Sequence, residues 1–163
     1  MTNDSTVQIR PANGVDDLAE VRRLFEEYAN SIGFSLCFQG FDQELAGLPG
    51  KYAPPSGCLF LAECEGKVAG CIALKKLGEG TCEMKRLYVR PGFRGKKIGR
   101  LLAERLIVEA RSIGYSEMYL DTISSKMAEA VLLYRSLGFV ECEPYYHNPQ
   151  PDALYMRLKL LGR

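Results

Sequence analysis

Arg90, Arg94, Lys96, Lys97 and Arg100 crowd the segment YVRPGFRGKKIGRLL, where apolar spacing after Lys97 predicts the start of a helix. The N-terminus of a helix carries the positive end of the backbone dipole, so bases there are unfavourable unless an anion offsets them. Gly92, Gly95 and Gly99 fall in the same turn. A strand, a glycine-containing turn and a helix start make a recurrent anion site, because unpaired amides point at the ligand and glycine lets the backbone come close. A solvated helix end, its long side chains bent into water, accounts for the cluster equally well. The phosphate-loop pattern G-x-x-x-x-G-K-S/T and the dinucleotide pattern G-x-G-x-x-G are both absent. Nucleic acid is not expected as a partner, since Phe93 is the one aromatic within the cluster and no basic stripe extends it.

Other groups with reactive chemistry are sparse. His147 is the only histidine, and its unperturbed pKa of ~6.5 suits proton transfer. It stands in a proline-rich stretch, YYHNPQPD, that reads as surface loop. The six cysteines, Cys37, Cys58, Cys64, Cys71, Cys82 and Cys142, form no C-x-x-C pair, so neither a metal site nor a dithiol redox centre is expected. The opening MTNDSTVQIRPANG is polar where a secretory signal would be apolar, and the expectation is a reduced, cytoplasmic protein. No run approaches the ~20 apolar residues of a membrane span. A formal net charge of +1 over 163 residues leaves the basic cluster a local feature.

This length suits one domain, taken as residues 1–163 with a core from about 7 to 160. VQIRPA reads as a strand, followed by a helix with Asp16 or Asp17 as its cap and Leu18, Val21, Phe25, Tyr28 and Ile32 as its apolar stripe. FDQELAGL suggests a short helix and GKYAPPSG a loop. CLFLAEC, VAGCIALKKL and TCEMKRLYV form a meander that stops at Pro91. Ile98, Leu101, Leu102, Leu106 and Ile113 give a long helix its apolar face, and Gly114 ends it. EMYLDT is a strand, AEAVLLYRSLGF a helix, and FVECEPYY and ALYMRLKL the last strands. Early antiparallel strands followed by strand–helix–strand imply an α/β domain. Its sheet should be mixed, mostly antiparallel and of six or seven strands, with helices on both faces.

Arg94-Gly95-Lys96-Lys97-Ile98-Gly99 resembles the pyrophosphate motif Q/R-x-x-G-x-G/A of the GNAT superfamily of N-acetyltransferases. CEMKRLYV is similar to that family's fourth strand, and AEAVLLYRSLGFVE to its late A-x-x-L-Y-x-x-x-G-F segment. There are two departures: Lys97 stands where the family usually has glycine, and Met127 where many members carry asparagine. The resemblance implies an acyl-CoA N-acyltransferase-like fold with acetyl-CoA as donor, a small-molecule or peptide amine as acceptor, and no metal. The amides of Arg94, Gly95, Lys96, Lys97, Ile98, Gly99 and Arg100 would hold the pyrophosphate. The backbone of Leu87, Tyr88 and Val89 would pair with the pantetheine arm, and the Val89 amide would polarise the thioester carbonyl.

An alkylammonium, with a pKa of about 10, must lose a proton before it attacks a thioester. Glu83 matches the position where some members of the family carry a base, and alternation places it on one face with Lys85, Leu87 and Val89. Asp121 and His147 are alternative bases, and a surface pairing with Lys85 is the structural alternative for Glu83. Tyr134 matches the tyrosine that protonates the leaving thiolate in many members; packing in the core is the alternative. The expected reaction is direct attack in a ternary complex, since no cysteine lies beside a candidate base. A non-catalytic acyl-CoA sensor on the same fold is the competing function. Glu26, Glu27, Asp42 and Glu44, with Phe38, Phe41, Tyr145 and Tyr146, suggest a cationic small acceptor or ordinary surface. A homodimer is admitted as an assembly.

Overall fold

The structure, a computed structural model, describes residues 6–33, 35–36 and 40–160, so Cys37 and Phe38 lie outside it. Its elements run β1 (Val7–Pro11), α1 (Gly14–Ile32), α2 (Phe41–Ala46), β2 (Cys58–Cys64), β3 (Lys67–Gly78), β4 (Thr81–Val89), α3 (Ile98–Ile113), β5 (Glu117–Ile123), α4 (Ala128–Ser136), β6 (Val140–Glu141) and β7 (Ala153–Lys159). One seven-stranded sheet has the order β1-β2-β3-β4-β5-β7-β6. Every neighbouring pair is antiparallel except β4 and β5. This is the mixed, mostly antiparallel sheet that the sequence implies.

Alternation in β2 separates two cores. Cys58, Phe60, Ala62 and Cys64 pack with Ile98, Leu102 and Leu106 of α3 and Tyr134 of α4. Leu59 and Leu61 pack on the other face with Val21, Leu24 and Phe25 of α1 and Phe41 of α2. No helix among the described residues is long and apolar enough to cross a membrane.

Four local expectations need correction. The α1 cap position is Asn13, not Asp16 or Asp17; the Asp17 carboxylate instead accepts the Asn13 amide at 2.8 Å and pairs with Arg10 at 2.6 Å. In α3, Leu101 is 38% exposed, and Ala103, Ile107 and Ala110 complete the buried face. FVECEPYY gives only a two-residue strand, because β7 takes the place beside β5 and the chain after Glu141 turns away towards the site.

The fourth correction matters most. Glu83 and Lys85 do not share a face with Leu87 and Val89. The β3–β4 register steps from Ala73↔Lys85 to Cys71↔Tyr88, so Ile72 faces two residues, Arg86 and Leu87. Arg86 takes up the extra residue with a left-handed φ of 61°. Such a bulge reverses the alternation beyond it. Leu87 and Val89 therefore join the α3 core, while Tyr88 turns to the α1 side. A left-handed arginine costs roughly 1–2 kcal/mol. Two 2.9 Å hydrogen bonds to Glu44 of α2 hold its guanidinium, which lies 5.8 Å from the Tyr28 ring centroid and 5.3 Å from that of Phe41.

Candidate active site

β4 and β5 pair only from Thr81↔Glu117 to Glu83↔Tyr119. Beyond that point a cleft of about 520 Å³ opens between them, lined by Leu87, Tyr88, Val89, Arg94, Asp121 and Tyr134 among others. The backbone of β4 is oriented for it. Arg90 donates its amide to Ala69 at 2.8 Å, and in an antiparallel ladder every second residue faces the partner strand. Arg90 and Tyr88 therefore face β3, and the polar groups of Val89 and Leu87 face the opening.

Tyr134 comes from α4 and is buried, 8% exposed, with its ring edge-on to Phe139. Its hydroxyl has no hydrogen-bond partner among the described residues, and burial pushes its pKa above the ordinary phenol value. It remains a proton donor. On β5, the Asp121 carboxylate accepts the Tyr146 hydroxyl and, at 2.9 Å, the Asn148 amide.

The basic segment leads into α3. Lys97 precedes the helix with a φ of 61°, and the first intrahelical bond runs from the Leu101 amide to the Lys97 carbonyl at 3.1 Å. The amides of Ile98, Gly99 and Arg100 consequently have no intrahelical acceptor. Gly95 is left-handed too, at φ 85°, and nothing lies within 4 Å of where its side chain would stand. Arg94, Gly95, Lys96 and Lys97 are exposed, and Arg94 donates to the Val89 carbonyl at 3.1 Å. Two charges leave the cluster. Arg90 is held by Glu20 at 2.8 Å and Glu27 at 2.9 Å, and Arg100 pairs with Glu104 at 3.1 Å.

Lys97 thus occupies a conformation that glycine adopts without strain. Replacing it removes one cation from the anion site and relieves its backbone. We expect Lys97→Gly to bind CoA with a shallower salt dependence, since fewer screened charges contribute, and to melt no lower than the parent. Calorimetric titration across a salt series checks this, and an unchanged slope refutes it. Charge reversal at both Arg94 and Lys97 should weaken CoA binding without unfolding the chain; the same titration reads it.

Glu83 opens onto a different space. A second cavity of about 430 Å³ is lined by Glu44, Lys51, Tyr52, Lys75, Glu83, Lys85, Tyr145 and Tyr146, with glycines and Pro49 of the α2–β2 connection. Tyr134 and Asp121 belong to the first cleft and Glu83 to the second; Lys85 lines both. Glu83 is no surface acid: it is 2% exposed. It accepts the Tyr145 hydroxyl at 2.6 Å and lies 3.4 Å from Lys75 and 3.9 Å from Lys85. Burial, and then the neighbouring Glu83 carboxylate, push the Tyr145 phenol well up, so it stays a donor to Glu83. Burial lowers the Lys85 pKa, and Glu83 opposes that shift. Each candidate carboxylate is therefore gripped by one of two adjacent tyrosines, Tyr145 and Tyr146. His147, next in the chain, is exposed and lines neither cavity.

Sequence reasoning missed Arg86, Lys75 and Lys51. Nothing in their spacing marks them, because the bulge and the α2 contact that place them are tertiary. Two of the acids expected to attract a cation are occupied, Glu44 by Arg86 and Glu27 by Arg90. Burial pushes the Cys58 and Cys82 thiols up to about 12, which leaves them poor nucleophiles. Among the described residues no three His, Cys, Asp or Glu side chains cluster as metal ligands.

A family model described as the acetyltransferase (GNAT) family matches residues 18–139. The chain is 44% identical over 162 residues to an uncharacterized N-acetyltransferase of Schizosaccharomyces pombe, covering 98% of this chain and 99% of that one. A GNAT-family acetyltransferase from Staphylococcus aureus has the same fold, with a TM-score of 0.77 at 21% identity over 96% of this chain and 100% of that one. So does a putative acetyltransferase from Salmonella typhimurium solved with its cofactor acetyl-CoA, with a TM-score of 0.73 at 24% identity over 98% and 96% of the chains.

Proposed function

The chain belongs to the acetyltransferase (GNAT) family, and from that premise we propose that it transfers an acetyl group from acetyl-CoA to a primary amine by direct attack in a ternary complex. One observation carries the reading. The β4–β5 cleft has outward-facing strand amides on one wall, a phenol with no hydrogen-bond partner among the described residues on the other, and Arg94 of the basic helix start in its lining.

The pantetheine arm lies along Leu87 and Val89 as an added strand, which a free strand edge accepts through main-chain hydrogen bonds. The pyrophosphate meets the amides at the start of α3, with Arg94, Lys96 and Lys97 around it. The acceptor enters from the second cavity and meets the thioester near Lys85, where the two spaces adjoin. Glu83 takes one proton from the ammonium. The amine nitrogen then attacks the thioester carbon while the Val89 amide supports the developing oxyanion. The C–S bond breaks, and the sulfur takes its proton from Tyr134. The acylated nitrogen gives up its second proton to solvent, solvent returns one to the phenolate, and Glu83 releases the one it accepted.

The test is a panel of amines incubated with acetyl-CoA, following thiol release and the mass of the acetylated product together. Acetylated product supports the transfer. Tight CoA binding with no product from any amine would favour an acyl-CoA sensor instead.

A further inference from the structure

The second cavity carries an unbalanced charge. Lys51, Lys75 and Lys85 line it against only two carboxylates, Glu44 and Glu83. Glu44 is already neutralised, because Arg86 binds both of its oxygens at 2.9 Å. Glu83 approaches Lys75 and Lys85, and Asp121 on the neighbouring strand also supports the Lys85 charge, which still leaves three ammonium groups against two carboxylates. Lys51 stands exposed at the rim, with no ion pair among the described residues. Apart from Gln43 and three glycines, the remaining lining is aromatic and apolar, including Tyr52, Tyr145, Leu77 and Pro49. Low-dielectric walls of this kind focus the potential of one sign of charge and concentrate the opposite sign. A plain alkylammonium would meet net repulsion here, so the acceptor needs an anionic group of its own.

We propose that this cavity receives a small amine that also bears a carboxylate, an amino acid in the broad sense. Lys51 and Lys75 hold its carboxylate, and its amino group turns to Glu83. This rests on the acetyl-transfer reading above and names the acceptor that reading leaves open. The volume of about 430 Å³ suits a small molecule. The geometry also separates two duties. Lys75 lies 3.4 Å from Glu83, so a carboxylate on Lys75 brings the neighbouring amine within reach of the base. Lys51, further out, contributes affinity alone.

The experiment compares matched acceptors: an amino acid, its carboxamide, and the amine left by removing its carboxyl group. The amino acid should show a KM about tenfold to a hundredfold below the other two, the size of one or two charge-assisted hydrogen bonds. Lys51→Glu should raise KM for the amino acid by about tenfold and lower it for the decarboxylated amine, with kcat little changed. Lys51 is exposed, so the fold tolerates the change, and thermal unfolding verifies that. Lys75→Gln is the second variant and should raise KM for the amino acid without reversing the preference. Equal KM values across the trio, or a Lys51→Glu effect alike on all three, would overturn the carboxylate and leave acetyl transfer standing. No acetylation of any member, with acetyl-CoA binding intact by calorimetry, would overturn both.

Discussion

Tyr134→Phe should slow the chemical step on the order of 10²–10⁴-fold while leaving acetyl-CoA affinity close to the parent's, if proton transfer to the thiolate is fully lost. The variant keeps the ring and its edge-on contact with Phe139, 5.9 Å between centroids, and removes only the hydroxyl. That hydroxyl has no hydrogen-bond partner among the described residues, so its loss orphans none of them. A packing tyrosine makes the opposite forecast: its ring alone matters, and phenylalanine keeps that ring, so the rate stays at the parent's. Both roles therefore predict an intact fold, and only the rate separates them. Single-turnover acetylation with a working amine, run beside thermal unfolding, is the deciding pair of measurements. A variant that melts like the parent and turns over like it would leave Tyr134 as a packing residue.

Tyr134 also marks how far the sequence could be followed. Its helix was legible in AEAVLLYRSLGF, and its place in the cleft came with the resemblance of the surrounding segment. The strands were legible from their apolar residues: alternation in ALYMRLKL marks one buried face, and CLFLAEC is a near-continuous apolar run, buried on both faces. What alternation could not report was its own failure at Arg86. This bulge holds Arg86 left-handed, and nothing local to MKRLYV announces it. Glu44 of α2 and the Tyr28 and Phe41 rings stabilise it from distant positions. Because of that single residue, Glu83 opens away from the cleft that Leu87 and Val89 line. The basic cluster was half legible in the same sense. Its charges were visible, but the partners that remove Arg90 and Arg100 from it lie on α1 and one turn along α3. The loop carrying Tyr145 and Tyr146 reads as the end of a strand, because its tyrosines are strand formers; here their hydroxyls serve two buried-side carboxylates instead.

Glu83→Gln should lower acetyl transfer on the order of 10²–10⁴-fold at neutral pH, the usual contribution of a positioned base. The amide oxygen can still accept the Tyr145 hydroxyl, so the 2.6 Å contact survives and the loop stays docked. The lost charge has a second effect. Lys85, with a side chain only 8% exposed, loses the carboxylate 3.9 Å away that opposes its burial. Its pKa falls further, and the melting temperature falls with it. Rates must therefore be compared well below the transition. The pH dependence then isolates the base. Without Glu83 the reaction draws on the amine already deprotonated in solution, a fraction that rises tenfold per pH unit below the ammonium pKa of about 10. The deficit of the variant should shrink as pH rises towards that value. A purely structural defect would persist unchanged across the range. Asp121→Asn is the comparison, since Asp121 lines the first cleft and accepts Tyr146 and Asn148 in the same fashion. If Glu83 is the base, Asp121→Asn shows a smaller loss that does not close with pH. If the two patterns are exchanged, the proton leaves through Asp121, and Glu83 is confined to holding Lys75, Lys85 and Tyr145 around the acceptor.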